Sequence, residues 1–102
     1  MLYAITIKYI QTAEQIKQHL ESHKAWLENY IHTGAILVAG PLESNIGGFI
    51  LAFGKQLSVI QEMVENDPFY IHQLVTFDIQ AFDPKIGASS FPEQWAPEAK
   101  RL

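Results

Sequence analysis

His23 is the residue of this chain best placed to do chemistry. Downstream of Thr12 the bulky apolar positions fall at Ile16, Leu20, Leu27, Tyr30 and Ile31, the i, i+4, i+11, i+14, i+15 recurrence of one helix face. The i+7 member of that stripe is His23. An ionisable imidazole is therefore aimed toward the interior, where burial or a nearby carboxylate can tune it across neutral pH. Spacing alone leaves two readings open. One is a core histidine hydrogen-bonded to a backbone carbonyl, and the other is a group that moves protons.

Other residues could join it. Trp26 and Tyr30 lie one and two helical turns beyond His23, and the Tyr30 hydroxyl could donate to a substrate oxygen or simply cap a core aromatic. Gly40 and Pro41 end an apolar run, where a glycine either lets a ligand approach the backbone or just stops a strand. His19 and His23 are four apart on the same helix, a spacing that points two imidazoles one way. A metal would need His32 or Glu28 recruited as well, so the spacing predicts no metal site; His19 goes to solvent and His72 to a surface loop. Asp67-Pro68 reads by itself as a helix-ending turn.

Several site types are excluded. Cysteine is absent, which removes disulfides, thiol nucleophiles and thiolate metal sites. Gly47-Gly48 precedes a strand and lacks a following helix, so it is a hairpin turn and not a phosphate loop. No Gly-x-Ser-x-Gly elbow occurs.

The elements that must position these residues follow from periodicity. Leu2 to Ile10 alternates, with Tyr3, Ile5, Ile7 and Tyr9 on one face, and predicts a strand. Thr12 with Gln15 forms a capping-box pattern opening a helix to about Thr33, with a break near Glu21 and Ser22 and a stop at Gly34. Ala35 to Ala39 is an apolar run read as a strand buried on both sides. Glu43 to Gly47 is a turn, Gly48 to Phe53 a strand, Leu57 to Asn66 a second helix ended by Asp67-Pro68, and Val75 to Phe82 a last alternating strand. The order βαββαβ predicts an α+β, ferredoxin-like fold, a four-stranded antiparallel sheet with two helices on one face. Two helices leave the other face of two apolar strands uncovered, which predicts a homodimer through the sheet face.

With 102 residues the chain is one domain with its own core: residues 1–83, followed by an extension over 84–102. The extension is rich in Pro, Gly and Ser yet carries Phe91 and Trp95, large rings that predict docking on the domain or on a dimer partner. The net charge is −4 and the seven basic residues form no patch, so nucleic acid is not an expected partner. The first ten residues lack a signal-peptide pattern, and no apolar stretch approaches the roughly 18 residues of a membrane span. A cytoplasmic protein is expected.

Taken together, Met-Leu-Tyr-Ala-Ile at the start, His23, Gly34, Leu-Val-Ala-Gly-Pro at 37–41, Gly47-Gly48-Phe49, Asn66-Asp67-Pro68-Phe69 and the strand bearing Phe77, Ile79 and Phe82 resemble the YCII-related (YciI-like) family. The resemblance covers residues 1–83 and implies a dimeric α+β barrel. It also implies a His–Asp pair as the active site, which maps to His23 and Asp67. Relatives in this family are implicated in dehydrochlorination of aromatic ring-cleavage or hydroxyquinol-type substrates. Glu43-Ser44-Asn45 and the extension depart from the family pattern where substrate choice would be set, so the substrate does not carry over.

A carboxylate beside an imidazole fixes its tautomer and stabilises the charged ring, as general acid–base work requires. The leading expectation is a small cofactor-independent lyase or isomerase, dehydrochlorinase-like, acting on a compact cyclic or aromatic substrate. A non-catalytic small-molecule-binding or accessory module on the same barrel is the alternative. A cofactor-free monooxygenase is a third.

Overall fold

The strand whose residues alternate most cleanly lies at the centre of the molecule. The structure, a computed structural model, describes all 102 residues. The chain runs β1 (Leu2–Tyr9), α1 (Ala13–Gln18), α2 (Leu20–His32), β2 (Ile36–Pro41), β3 (Gly47–Phe53), α3 (Leu57–Glu65), α4 (Pro68–Ile71) and β4 (Val75–Phe82). The sheet order is β2-β3-β1-β4 with every neighbouring pair antiparallel, the α+β ferredoxin-like arrangement expected from the βαββαβ pattern. In register, Ile5 lies opposite both Ile50 and Ile79, and Ile7 opposite Gly48 and Phe77. Directly opposed residues share a face. The odd-numbered side chains of β1 therefore stack with Ile50, Ala52 and Val75 into one apolar sheet surface.

The helices cover that surface. Ile16, Trp26, Ile60, Met63, Val64 and Phe69 from the helical layer form a single buried cluster with Tyr3, Ile5 and Ile7. The opposite sheet face has no helix on it, and Val38, Phe49 and Phe82 are exposed there.

Local chemistry explains the element ends. Thr12 caps α1 through a capping box with Gln15. Gly34, at φ +88°, takes the left-handed conformation that closes α2. Gly47 is required by a close approach: a Cβ there would sit 1.8 Å from the Ile7 carbonyl oxygen.

Three expectations need correction. The first helix breaks at His19, two to three residues earlier than expected, because His19 leaves helical geometry (φ −111°, ψ 10°). β2 is not buried on both sides; Val38 is 58% exposed, since β2 is an edge strand and the helices cover only one face. Asp67-Pro68 does end a helix, but Pro68 also begins another, α4. Proline is well suited to the first helical position because its missing N–H would have no partner there.

The extension closes on itself. Ile86–Gly87 and Lys100–Arg101 pair as short parallel strands, and the Arg101 guanidinium donates to the Ser89 and Phe91 carbonyls. Phe91 and Trp95 pack edge to face at 6.1 Å. No helix of the molecule is long and apolar enough to cross a membrane.

Candidate active site

His23 stands one turn into α2, on the stripe that faces the sheet, and is 8% exposed. Its ring lies parallel to Phe69 at 4.0 Å with 5° between planes, and Trp26 stacks from another side at 5.7 Å. Nδ1 is 2.8 Å from Asp67 Oδ1 across 44 residues of sequence. Three neighbours thus hold the imidazole in place.

Asp67 reaches it through backbone geometry. The residue before a proline is pushed out of the helical region, and Asp67 adopts φ −65°, ψ 126° between α3 and α4. That conformation lets its carboxylate cap α4, accepting the Phe69 N–H at 3.0 Å through the same Oδ1 that faces His23. The Asp-Pro-Phe run therefore supplies the carboxylate, the break that aims it, and the ring that stacks on the histidine. Asp67 is wholly buried, and its Oδ2 has no hydrogen-bond donor. A buried oxygen left unpaired is costly, and the hydrogen bonds that Oδ1 accepts from His23 and Phe69 are what compensate this carboxylate. A carboxylate accepts and does not donate, so Nδ1 carries the proton. Nε2 keeps its lone pair. It makes no hydrogen bond within the chain and is not among the solvent-inaccessible unpaired atoms, so it is open to what enters from outside.

What it meets is a cavity of about 320 Å³ between α2, α4 and the β2–β3 end of the sheet. That is near the lower end of the roughly 300–1,000 Å³ typical of small-molecule sites, room for a single substituted ring. Ile7, Leu20, Leu27, Ile50 and Phe69 supply apolar walls. Gly48 leaves the space open; any side chain there would point into the helix-facing side and meet the Gly40 carbonyl oxygen at 3.1 Å.

The residues singled out from sequence divide cleanly. His23, Gly40 and Pro41 line the cavity, with Asp67 directly behind His23. Trp26 and Tyr30 do not line it. The Trp26 indole donates to the Met63 carbonyl at 3.1 Å, and the Asn66 amide donates to the Tyr30 hydroxyl at 3.5 Å. Both contacts tie α2 to the end of α3, just before Asp67. His19 does not join His23; it stacks on His72 at 4.0 Å, and no cluster of three or more metal-ligating side chains forms.

Sequence reasoning missed Phe69, Lys24 and Tyr9 as lining residues. Phe69 was visible as part of the Asp-Pro-Phe run, and Lys24 as the neighbour of His23. Tyr9 gave a weaker signal, since its strand position fits a core aromatic equally well.

Comparison with known proteins places this geometry in context. The family model of the YCII-related domain matches residues 1–77. Among solved structures the chain is similar to the 5-chloro-2-hydroxyhydroquinone dehydrochlorinase TftG from Burkholderia phenoliruptrix AC1100, determined in complex with 2,5-dihydroxybenzoquinone. The TM-score is 0.70 at 23% identity, over 85% of this chain and 96% of that one, a likeness of fold. No protein of curated function matches in sequence.

Proposed function

This chain belongs to the YCII-related domain family, and from that premise we propose that it is a small cofactor-independent enzyme of lyase or isomerase type acting on a compact ring. The observation that carries the reading is the buried His23–Asp67 contact of 2.8 Å with the other ring nitrogen open to an apolar cavity. In this reading His23 Nε2 removes a proton from carbon or oxygen of the bound ring, and Asp67 orients the imidazole and balances the charge it gains. The electron pair left behind either shifts within the ring system, with the proton returned at another atom, or expels a leaving group such as chloride. Gly40 and Pro41 form the wall opposite α2, while Trp26 and Tyr30 position the dyad. The fold shared with a dehydrochlorinase favours the elimination branch.

Phe49 and Val38 on the bare sheet face suit a second copy of the chain, so the working unit in this reading is a homodimer of a cytoplasmic protein. Sedimentation of wild type against Phe49→Glu checks that part; a monomeric wild type removes it.

The test of the chemistry is proton transfer itself. In D2O with 2,5-dihydroxybenzoquinone as the ring, wild type should accelerate exchange of ring hydrogens by about 10²–10⁴-fold over His23→Gln, with both proteins binding the quinone. A wild type that binds the ring without exchanging protons is a binding module, and the enzyme reading is then wrong.

A further inference from the structure

We propose that the cavity selects an acidic ring, an enolate, phenolate or hydroxyquinone anion, and that Lys24 is the residue that recognises its charge. This rests on the cavity being a ring site, as proposed above, and goes beyond it by naming the ionisation state of what binds.

The chain as a whole carries a net −4. The cavity lining reverses that sign: Lys24 is its one cation and no carboxylate belongs to it, Asp67 being buried behind His23. The remaining polar side chains of the lining are His23 and Tyr9, and the Tyr9 hydroxyl makes no hydrogen bond within the chain. A neutral apolar ring would need none of these groups. A ring bearing a delocalised negative oxygen would use them, with the ammonium as its counter-charge and the hydroxyl as a further donor.

Lys24 is also free to act. Its only ion-pair partner is Glu21 at 3.9 Å, with the two side chains 54% and 91% exposed. An exposed pair at that separation holds the ammonium weakly. The lysine follows His23 directly in sequence, so both residues line the cavity from one turn of α2. The same cation would stabilise the negative oxygen that grows when His23 removes a proton, so recognition and chemistry call for the same charge.

The experiment is a matched pair of probes titrated calorimetrically against wild type, Lys24→Gln and Lys24→Arg. One probe is 2,5-dihydroxybenzoquinone, whose hydroxyls are vinylogous acids and ionise at neutral pH. The other is its neutral dimethyl ether. Lys24→Gln should weaken the acid roughly tenfold and leave the ether unchanged, while Lys24→Arg retains the acid. Added salt should weaken the acid in wild type and have little effect in Lys24→Gln. Equal losses for both probes, or none, overturn the assignment while leaving the ring site intact. Failure of wild type to bind either probe overturns the ring site itself, and the role of Lys24 with it.

Discussion

Two contacts between a basic and an acidic side chain in this protein have nearly the same length and opposite meaning. His23 and Asp67 meet at 2.8 Å, with side chains 10% and 0% exposed. Lys85 and Asp83 meet at 2.9 Å, with side chains 70% and 50% exposed. The first pair joins two elements 44 residues apart, whereas the second joins near neighbours at the start of the extension. Distance does not separate them. Surroundings do: water screens the exposed pair and offers each partner a substitute, while the buried pair has no substitute for either partner. A buried carboxylate that has lost its hydrogen-bond donor must be neutralised or exposed, and that dependence couples local folding to the chemistry of the ring.

The largest test of this contrast is Asp67→Ala. It removes the α4 cap, the partner of Nδ1 and the only buried carboxylate at once. Loss of one partner of a buried pair costs about 3–5 kcal/mol, and a lost cap adds about 1 kcal/mol. Chemical denaturation should show a midpoint lowered to match, with activity gone. Asp67→Asn separates the two roles, because the amide oxygen can still accept from Phe69 while the charge is absent. It should recover most of the stability and little of the proton transfer, with exchange down by about 10² or more. If Asn restores activity along with stability, the carboxylate only shapes α4.

His23→Gln comes next. It leaves Asp67 a donor in place of the imidazole, so the loss of stability should be smaller than in Asp67→Ala, while proton exchange falls by about 10²–10⁴-fold. Denaturation curves and exchange rates measured on His23→Gln should therefore separate, with exchange largely lost in a protein that stays folded. Exchange retained in that folded variant would mean that His23 is a structural partner and no more.

How much of this was legible beforehand can be judged residue by residue. The stripe from Ile16 to Ile31 placed His23 inside, because a 3.6-residue period is a property of sequence alone. The βαββαβ order and the capping box at Thr12 were readable for the same reason: both are local patterns. The contact with Asp67 was not readable from periodicity, since it spans 44 residues and depends on how α2 and the α3–α4 turn pack; resemblance to a family suggested it. α4 escaped notice because four residues are too few to show a period, and Asp-Pro looked like an ending without also looking like a beginning. Trp26 and Tyr30 were placed on the right helix, but their side chains turn toward α3, which helical spacing cannot reveal.

A smaller effect is expected at the second histidine pair. His19 stacks on His72 at 4.0 Å from the break between α1 and α2, four residues before His23, but neither ring has a carboxylate partner. This contact links the α1–α2 break to the end of α4, so it helps hold the turn that carries Asp67. His72→Leu keeps an apolar surface for His19 to cover and should change stability by less than about 1 kcal/mol. Proton exchange should be unchanged within a factor of about 2. A loss comparable to that of His23→Gln would mean that the two histidine pairs act as one unit.

The smallest effect belongs to the exposed pair, and its sign can be worked out. Lys85 is held above the ordinary lysine value of 10.5, first by the hydrogen bond it donates to Asp83, then by the charge of Asp83, with a lesser contribution from Glu98. A cation whose folded value is raised contributes stability that is fully present below 10.5 and disappears as pH climbs through the raised value. Lys85 is largely exposed, so solvent screening leaves little of that contribution. Asp83→Asn should therefore return the Lys85 titration, followed by NMR of its side chain, toward the ordinary value while leaving the unfolding midpoint at neutral pH where it was. A clear drop in that midpoint would show that the extension draws real stability from its first ion pair. The contrast between a buried pair and an exposed one of equal length would then need a different explanation, one in which the turn at Asp83 holds the extension in place as firmly as the turn at Asp67 holds His23.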